Sequence, residues 1–373
     1  MKKAAVYFTD FRVQSESDIS ILDKLKKLLE TAGMKSMDLD GKFTAVKIHF
    51  GESGNLAFLR PNYARAVVDL LKAMGARPFL TDCNTLYVGS RRNALDHLDT
   101  AYMNGFSPMQ TGCHVIIGDG LMGSDHTTVP VAGEFCQEAL IGRAIMDAEA
   151  IISLTHFKCH EMTGIGGALK NLGMGCGSSA GKRRMHNEGK PVVDAESCVG
   201  CGRCAAQCAH EAIRFREEEN ERKAFIDHDK CAGCGRCVGV CVVHGALSNY
   251  ASAGDMISKK ISEYALAVVQ GRPHFHISLV MDVSPFCDCH AGSDAPVIAN
   301  VGIFAGFDPV ALDTACADAC NRMEPLPGAY RPDHPVQGRD LFCSIHPSTD
   351  WRIGVEHAQK IGLGTTQYEL IEV

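Results

Sequence analysis

Long apolar runs are missing from this chain. No segment approaches the roughly 18 consecutive apolar residues of a membrane-spanning helix, which excludes a helical membrane protein. The apolar stretch Ala4 to Phe8 is also too short for a signal peptide, so a cytoplasmic location is expected. Positive charge is in deficit: 37 Lys and Arg against 44 Asp and Glu leave a net charge of −7 and a pI near 6.1. That balance disfavours nucleic acid or an anionic membrane as a partner. The Walker spacing is absent, which leaves nucleoside triphosphate binding without support, and no flavin or nicotinamide fingerprint occurs. What the chain does have is cysteine, 18 in 373 residues. Without an export signal, that abundance indicates a reducing compartment where thiols ligate metals instead of pairing.

Eight of these cysteines fall into one pattern used twice: Cys198, Cys201, Cys204, Cys208, then Cys231, Cys234, Cys237, Cys241. Each run reads Cys-x-x-Cys-x-x-Cys-x-x-x-Cys, the spacing with which bacterial ferredoxins hold two 4Fe–4S clusters, the fourth cysteine of each run crossing to the other cluster. The expected ligand sets are therefore Cys198, Cys201, Cys204 with Cys241, and Cys231, Cys234, Cys237 with Cys208. Two-residue gaps let a turning backbone aim three thiolates at one cube while its N–H groups face the sulfurs. Gly200, Gly202, Gly233 and Gly235 permit the close approach. The proline that usually follows the fourth cysteine is replaced by Ala209 and Val242. Structural zinc is the competing reading, but zinc needs four ligands per site and rarely uses this triple-cysteine run twice.

On either side of the runs, strand-like and helix-like segments alternate. Strands are expected at Ala4 to Phe8, Phe43 to Phe50, Pro78 to Thr81, Val115 to Ile117, Ala150 to Phe157, His276 to Val283 and Val297 to Phe304. Helices are expected at Asp18 to Ala32, from Pro61 to Met74, at Ser258 to Val269, and from Pro309 to Cys320 behind an Asp308 cap. Such alternation predicts an α/β fold, a mostly parallel sheet with helices on both faces. The cysteine runs interrupt it, so residues 190–250 are read as a bacterial-ferredoxin-like α+β domain inserted into one α/β domain made of residues 1–189 and 251–373.

In open α/β sheets ligands bind beyond the carboxyl ends of the strands, and polar residues of this chain collect there. Lys47 and His49 share one strand face by the period of two, as do His156, Lys158 and His160, while Asp82 and Asp119 follow two further strands. Taken singly, a His or Asp at a strand end caps a helix or satisfies loop N–H groups; the recurrence of Lys and His in register argues for a shared crevice. His49, Asp82, His156, Lys158 and His160 are the candidate catalytic residues. The glycine-rich Gly164 to Gly167 entry to a helix offers N–H groups to an anion, and Lys182, Arg183 and Arg184 read as a solvated basic loop. Cys287-Asp288-Cys289-His290 crowds two thiols and an imidazole into one loop, the pattern of an additional metal site or a redox-active thiol pair, which Cys176 could join. Cys316 and Cys320 read as core.

Six segments, Lys47–Glu52, Thr81–Tyr87, His156–His160, Gly167–Gly173, Ser284–Cys289 and Asp308–Asp313, resemble the iron–sulfur proteins grouped as domain of unknown function 362. The resemblance spans nearly the whole chain and implies a cytoplasmic protein of mostly anaerobic prokaryotes that binds 4Fe–4S clusters. It implies no reaction. The expectation is iron–sulfur electron transfer coupled to a redox reaction of a small anionic substrate in the Lys/His/Asp crevice, which would make the protein an oxidoreductase. The alternatives are a non-catalytic carrier docking a redox partner protein, and a metal- or cluster-handling protein.

Overall fold

The computed structural model describes residues 3–13, 15, 19–186, 190–218, 221–241, 243, 246–248, 253–329 and 340–373. Val242 and Asp18, both used in the sequence reading, lie outside the described residues. Strands β1 (Ala4–Asp10), β2 (Phe43–Lys47), β3 (Arg77–Asp82), β4 (Val115–Ile117), β5 (Ala150–His156), β6 (His274–Val280), β7 (Gly302–Gly306) and β8 (Tyr368–Glu372) make one sheet. Its order is β8-β1-β7-β6-β5-β2-β3-β4. β7 runs against both its neighbours, and every other pairing is parallel. This is the mostly parallel sheet that the alternation predicts.

Strand β5 shows how the sheet is held, because all seven of its residues are buried and alternate ones serve opposite faces. Ile151 joins a core with Leu169, Leu172 and Ile261, whereas Ile152 and Leu154 join one with Leu28, Val67 and Leu71. Helices Ile21–Thr31 and Pro61–Ala73 thus cover one face, and helices Ala168–Cys176, Ala253–Val269, Pro309–Asn321 and Arg352–Lys360 the other. The Asp308 side chain accepts from the N–H groups of Val310 and Ala311, the expected cap.

Three expectations need correction. The segment from Val297 is regular strand only over Gly302–Gly306; before that its Val297 N–H bonds to the Val283 carbonyl as a loop laid along the sheet. Lys182 to Arg184 are not a loop but lie in the helix Ser179–His186, with Lys182 buried. The predicted strand to Phe50 stops at Lys47, so His49 projects from the turn beyond it.

The carboxyl ends of β2, β3, β4 and β5 meet at one edge, with Lys47 level with Thr81 and Ser153, and Asp82 level with Ile117. Among the described residues, 190–248 add no strand to this sheet. They pair with one another, Val192–Val193 with Leu247–Ser248 and Ile213–Glu218 with Glu221–Ile226. A separate small cluster of Cys204, Ile213, Ala224, Cys237 and Leu247 sits between. Among the described residues no helix is long and apolar enough to cross a membrane.

Candidate functional site

Beyond the carboxyl edge of the sheet lies a cavity of about 740 Å³. Lys47, His49, Asp82, His156, Lys158 and His160 all line it, so the polar residues expected at the strand ends are brought together, although β5 ends at His156 and Lys158–His160 is a separate short strand paired with Gly164–Gly166. Asp119 is not among the lining residues; it is fully buried behind them, accepting from the Asn84 backbone and side-chain N–H and from the Ser179 N–H. The opposite wall is the second cysteine run, with Cys234, Gly235, Arg236, Val238, Gly239 and Val240.

Most of the expected residues are tied to one another. Lys47 Nζ donates to Asn171 Oδ1 at 2.8 Å and pairs with Asp82 at 2.9 Å. Burial pushes the Asp82 carboxyl up, but Lys47 and then His97 and His49 outweigh it and hold the group well below the ordinary carboxylate range. His156 has acceptors on both sides, Asp288 at 2.9 Å from Nδ1 and the Met281 carbonyl 2.8 Å from Nε2. Lys158 pairs with the same Asp288 at 3.2 Å and donates to the His156 carbonyl at 2.9 Å. The cost of burying Asp288 is therefore offset by His156 and Lys158, and its carboxyl stays below the usual range. His49 accepts the Gly51 N–H on Nδ1 at 3.0 Å, and burial, with Arg91 nearby, drives its pKa far down, so the ring is neutral.

Sequence reasoning missed several wall residues. Arg91, only 1% exposed, ties Glu52, Asp82 and the Tyr87 hydroxyl together at 3.1, 3.4 and 2.8 Å. Lys170, Lys182, His186, Glu161 and His290 also face the cavity. Burial, with Lys170, His160 and Lys182 close by, pushes His186 down to about 3, and among the described residues its buried Nδ1 has no hydrogen-bond partner. Lining cations are Lys47, Lys158, Lys170, Lys182, Arg91 and Arg236 against the lining carboxylates Asp82 and Glu161 and against Asp288 and Glu52, which pair with Lys158 and Arg91 from behind; the smaller excess that remains suits an anion. Of the residues missed, the sequence reading names His290, in the cysteine loop, and Lys182, in a basic segment, but neither as a wall of this cavity. The glycine turn itself does not serve an external anion: the N–H groups of Ala168 and Leu169 are taken by Asp313 at 2.6 and 2.9 Å.

The loop Cys287 to His290 closes one end. Donor atoms of His160, Cys287 and Cys289 lie within 4.8 Å of one another, as do those of Glu161, Cys289 and His290, so either group could hold a metal ion of the soft divalent class. Cys176 does not join them; it lies buried on helix Ala168–Cys176, its thiol pushed up to about 11 by burial. The two loop thiols are driven apart. A hydrogen bond from Cys289, together with Lys170, His160 and Lys158, holds Cys287 well below the usual thiol range, while Cys289 is raised by that same bond and by burial.

Cys198, Cys201 and Cys204 line a second, small cavity together with Cys241 from the other run. Cys208 in turn is an electrostatic neighbour of Cys231, Cys234 and Cys237. Gly200, Gly202, Gly233 and Gly235 all have left-handed φ, from 63° to 82°, so each run turns through the same pair of conformations. Backbone N–H groups meet the sulfurs: Ala224 on Cys198 at 3.4 Å, Ala212 on Cys208 at 3.3 Å, Gly233 on Cys231 at 3.4 Å. Thiols gathered around a void and met by N–H groups have the donor chemistry of a cluster site.

Among families, the model described as "Domain of unknown function (DUF362)" matches residues 44–318. No curated protein matches the sequence. Among solved structures, the chain is similar to the lactate racemase apoprotein from Thermoanaerobacterium thermosaccharolyticum, at 10% identity and a TM-score of 0.38, over 75% of this chain and 51% of that one. It is also similar to a protein from Thermotoga maritima, at 12% identity and a TM-score of 0.42, over 83% of this chain and 60% of that one. The chain thus matches just over half the length of these two structures, 51% and 60%.

Proposed function

The chain belongs to the DUF362 family, and from that premise we propose that it is an iron–sulfur electron-transfer protein whose two cysteine runs hold two 4Fe–4S clusters. The observation that carries this reading is the crossed grouping: Cys241 lines a void with Cys198, Cys201 and Cys204, as ferredoxin ligation requires and as a pair of independent zinc sites would not. Residues 190–250 are then a ferredoxin-like insert between the two parts, 1–189 and 251–373, of one α/β domain. Cys201 is exposed, which suits the first cluster to exchange electrons with a redox partner protein. Residues of the second run wall the large cavity, which suits the second cluster to exchange them with whatever binds there.

The cavity's reaction is a redox conversion of a small anionic substrate. Its cationic lining favours the anion, and His49, Asp82, His156, Lys158 and His160 are the groups assigned to orient it and move protons. Because His156 is engaged on both ring nitrogens, its role is to fix Asp288 and Lys158, leaving His49 and His160 nearer the chemistry.

Anaerobically prepared protein is expected to contain about eight iron and eight acid-labile sulfide per chain, from two clusters of four. Cys241→Ala should damage the cluster of the first run, read by electron paramagnetic resonance of the reduced protein. Two zinc without sulfide, or damage confined to the second-run cluster, would overturn the proposal.

A further inference from the structure

We propose that Cys287 and Cys289 are a redox-active dithiol that exchanges electrons with the clusters, so that the first acceptor inside the cavity is the protein's own Cys287–Cys289 disulfide. This deepens the preceding reading and rests on it for the source of electrons.

Geometry carries the argument. The two sulfurs lie within 4.8 Å of each other on a loop with one residue between them. Cys287 is fully buried, and Cys289 lines the cavity that Cys234 and Arg236 also line. Lys170 Nζ donates to Cys287 Sγ at 3.4 Å. His160 accepts the N–H groups of Met162 and Thr163 on Nδ1 at 3.1 and 3.3 Å, so its proton sits on Nε2, and the ring lies beside the two thiols, within 4.8 Å by its donor atom.

An ammonium donating to one sulfur, with an imidazole beside the pair, stabilises a thiolate, the leaving group that a disulfide needs. Those same donors work against a divalent ion, which would need the Nε2 lone pair and would face the lysine charge. For the group of His160, Cys287 and Cys289, donor direction thus favours a thiol pair over an ion site.

A short path joins the pair to the second run. Arg236, next to Cys237, donates to His290 Nδ1, and His290 is next to Cys289. His290 Nε2 is in turn 2.6 Å from Glu161 Oε1.

The stoichiometry balances. The S–S bond between Cys287 and Cys289 breaks on accepting two electrons, one from each reduced cluster; both clusters are oxidised. Cys287 keeps one electron pair as the thiolate held by Lys170 beside His160, and Cys289 takes one proton from water in the cavity. The reverse step releases that proton and returns the electrons. Two one-electron carriers match one two-electron acceptor, which gives a reason for both clusters.

The test uses full-length protein with its clusters. After mild oxidation with a disulfide reagent, the thiols are alkylated under denaturing conditions and the peptide carrying Cys287 and Cys289 is weighed. An unalkylated peptide lighter by two hydrogens is expected, converting to a doubly alkylated one once the protein is reduced through its clusters. Reductive titration should show that wild type takes two more electrons per chain than Cys289→Ser, with unchanged cluster signals. A peptide alkylated at both cysteines after oxidation, or a tightly held stoichiometric metal lost in Cys289→Ser, would overturn the dithiol. The peptide measurement needs no variant, so misfolding of Cys289→Ser leaves the question decidable. Absence of cluster signals in wild type, with disulfide formation intact, would instead overturn the iron–sulfur reading.

Discussion

A lysine and a histidine buried side by side need a carboxylate between them, and Asp288 supplies it at 3.2 Å from Lys158 and 2.9 Å from His156. All three are at most 5% exposed. Removing one member of such a group leaves the others as uncompensated buried charge, a loss of about 3–5 kcal/mol. Asp288→Ala should therefore lower the unfolding free energy from urea denaturation by that order, whereas Asp69→Ala, at an exposed pair with Arg65, should change it by about 0–1 kcal/mol. Equal effects would contradict the assignment of Asp288 as the anchor of this wall. The sequence made His156, Lys158 and His160 legible through their spacing. Asp288 was visible only as the residue between two cysteines, because its partners, at the end of β5 and just beyond it, lie more than a hundred positions earlier and no local period reports such a contact.

At the scale of elements, the two cysteine runs are loops whose shape depends on paired left-handed glycines. Gly200, at φ 63°, and Gly202, at φ 82°, differ in their surroundings: a Cβ on Gly200 would lie 2.2 Å from the Arg222 carbonyl oxygen, while one on Gly202 meets nothing within 4 Å. Gly202→Ala should thus cost only the backbone preference, roughly 1–2 kcal/mol. Gly200→Ala must also push the neighbouring strand aside, so it should cost more and lower the iron and sulfide retained per chain. Thermal melts with cluster analysis on both variants check the order, and a more damaging Gly202→Ala would contradict it. These glycines could be read from the sequence because function and backbone geometry coincide within a few residues. The helix holding Lys182 could not, since the glycine-rich entry Gly173 to Gly181 conceals a helix that is packed by Tyr264 and Leu140 from elsewhere in the chain.

On the scale of the whole molecule, alternation of strands and helices made the parallel sheet readable, but not its far edge. β8 is a short, half-exposed strand without marked alternation, and it exists because β1 offers it a parallel partner from the other end of the chain. Sheet order therefore ties the first and last described strands together, and all eight strands lie outside residues 190–250. Contacts from that segment to the rest include hydrogen bonds from Arg236 to the Val88 carbonyl and His290 and from Arg92 to the Ala209 carbonyl, and these are small beside the two cores that flank the sheet. Deleting residues 190–250 and joining the ends through a short flexible linker should leave a body that unfolds cooperatively and keeps its sheet by circular dichroism. What it should lose is the cavity wall from Cys234 to Val240. An anion that raises the melting temperature of the intact protein should then stabilise the shortened one much less, because stabilisation follows occupancy of the folded form. A shortened chain that cannot fold would show that the segment is integral to the α/β body, and one that folds yet binds anions unchanged would show that the cavity does not need the second cysteine run.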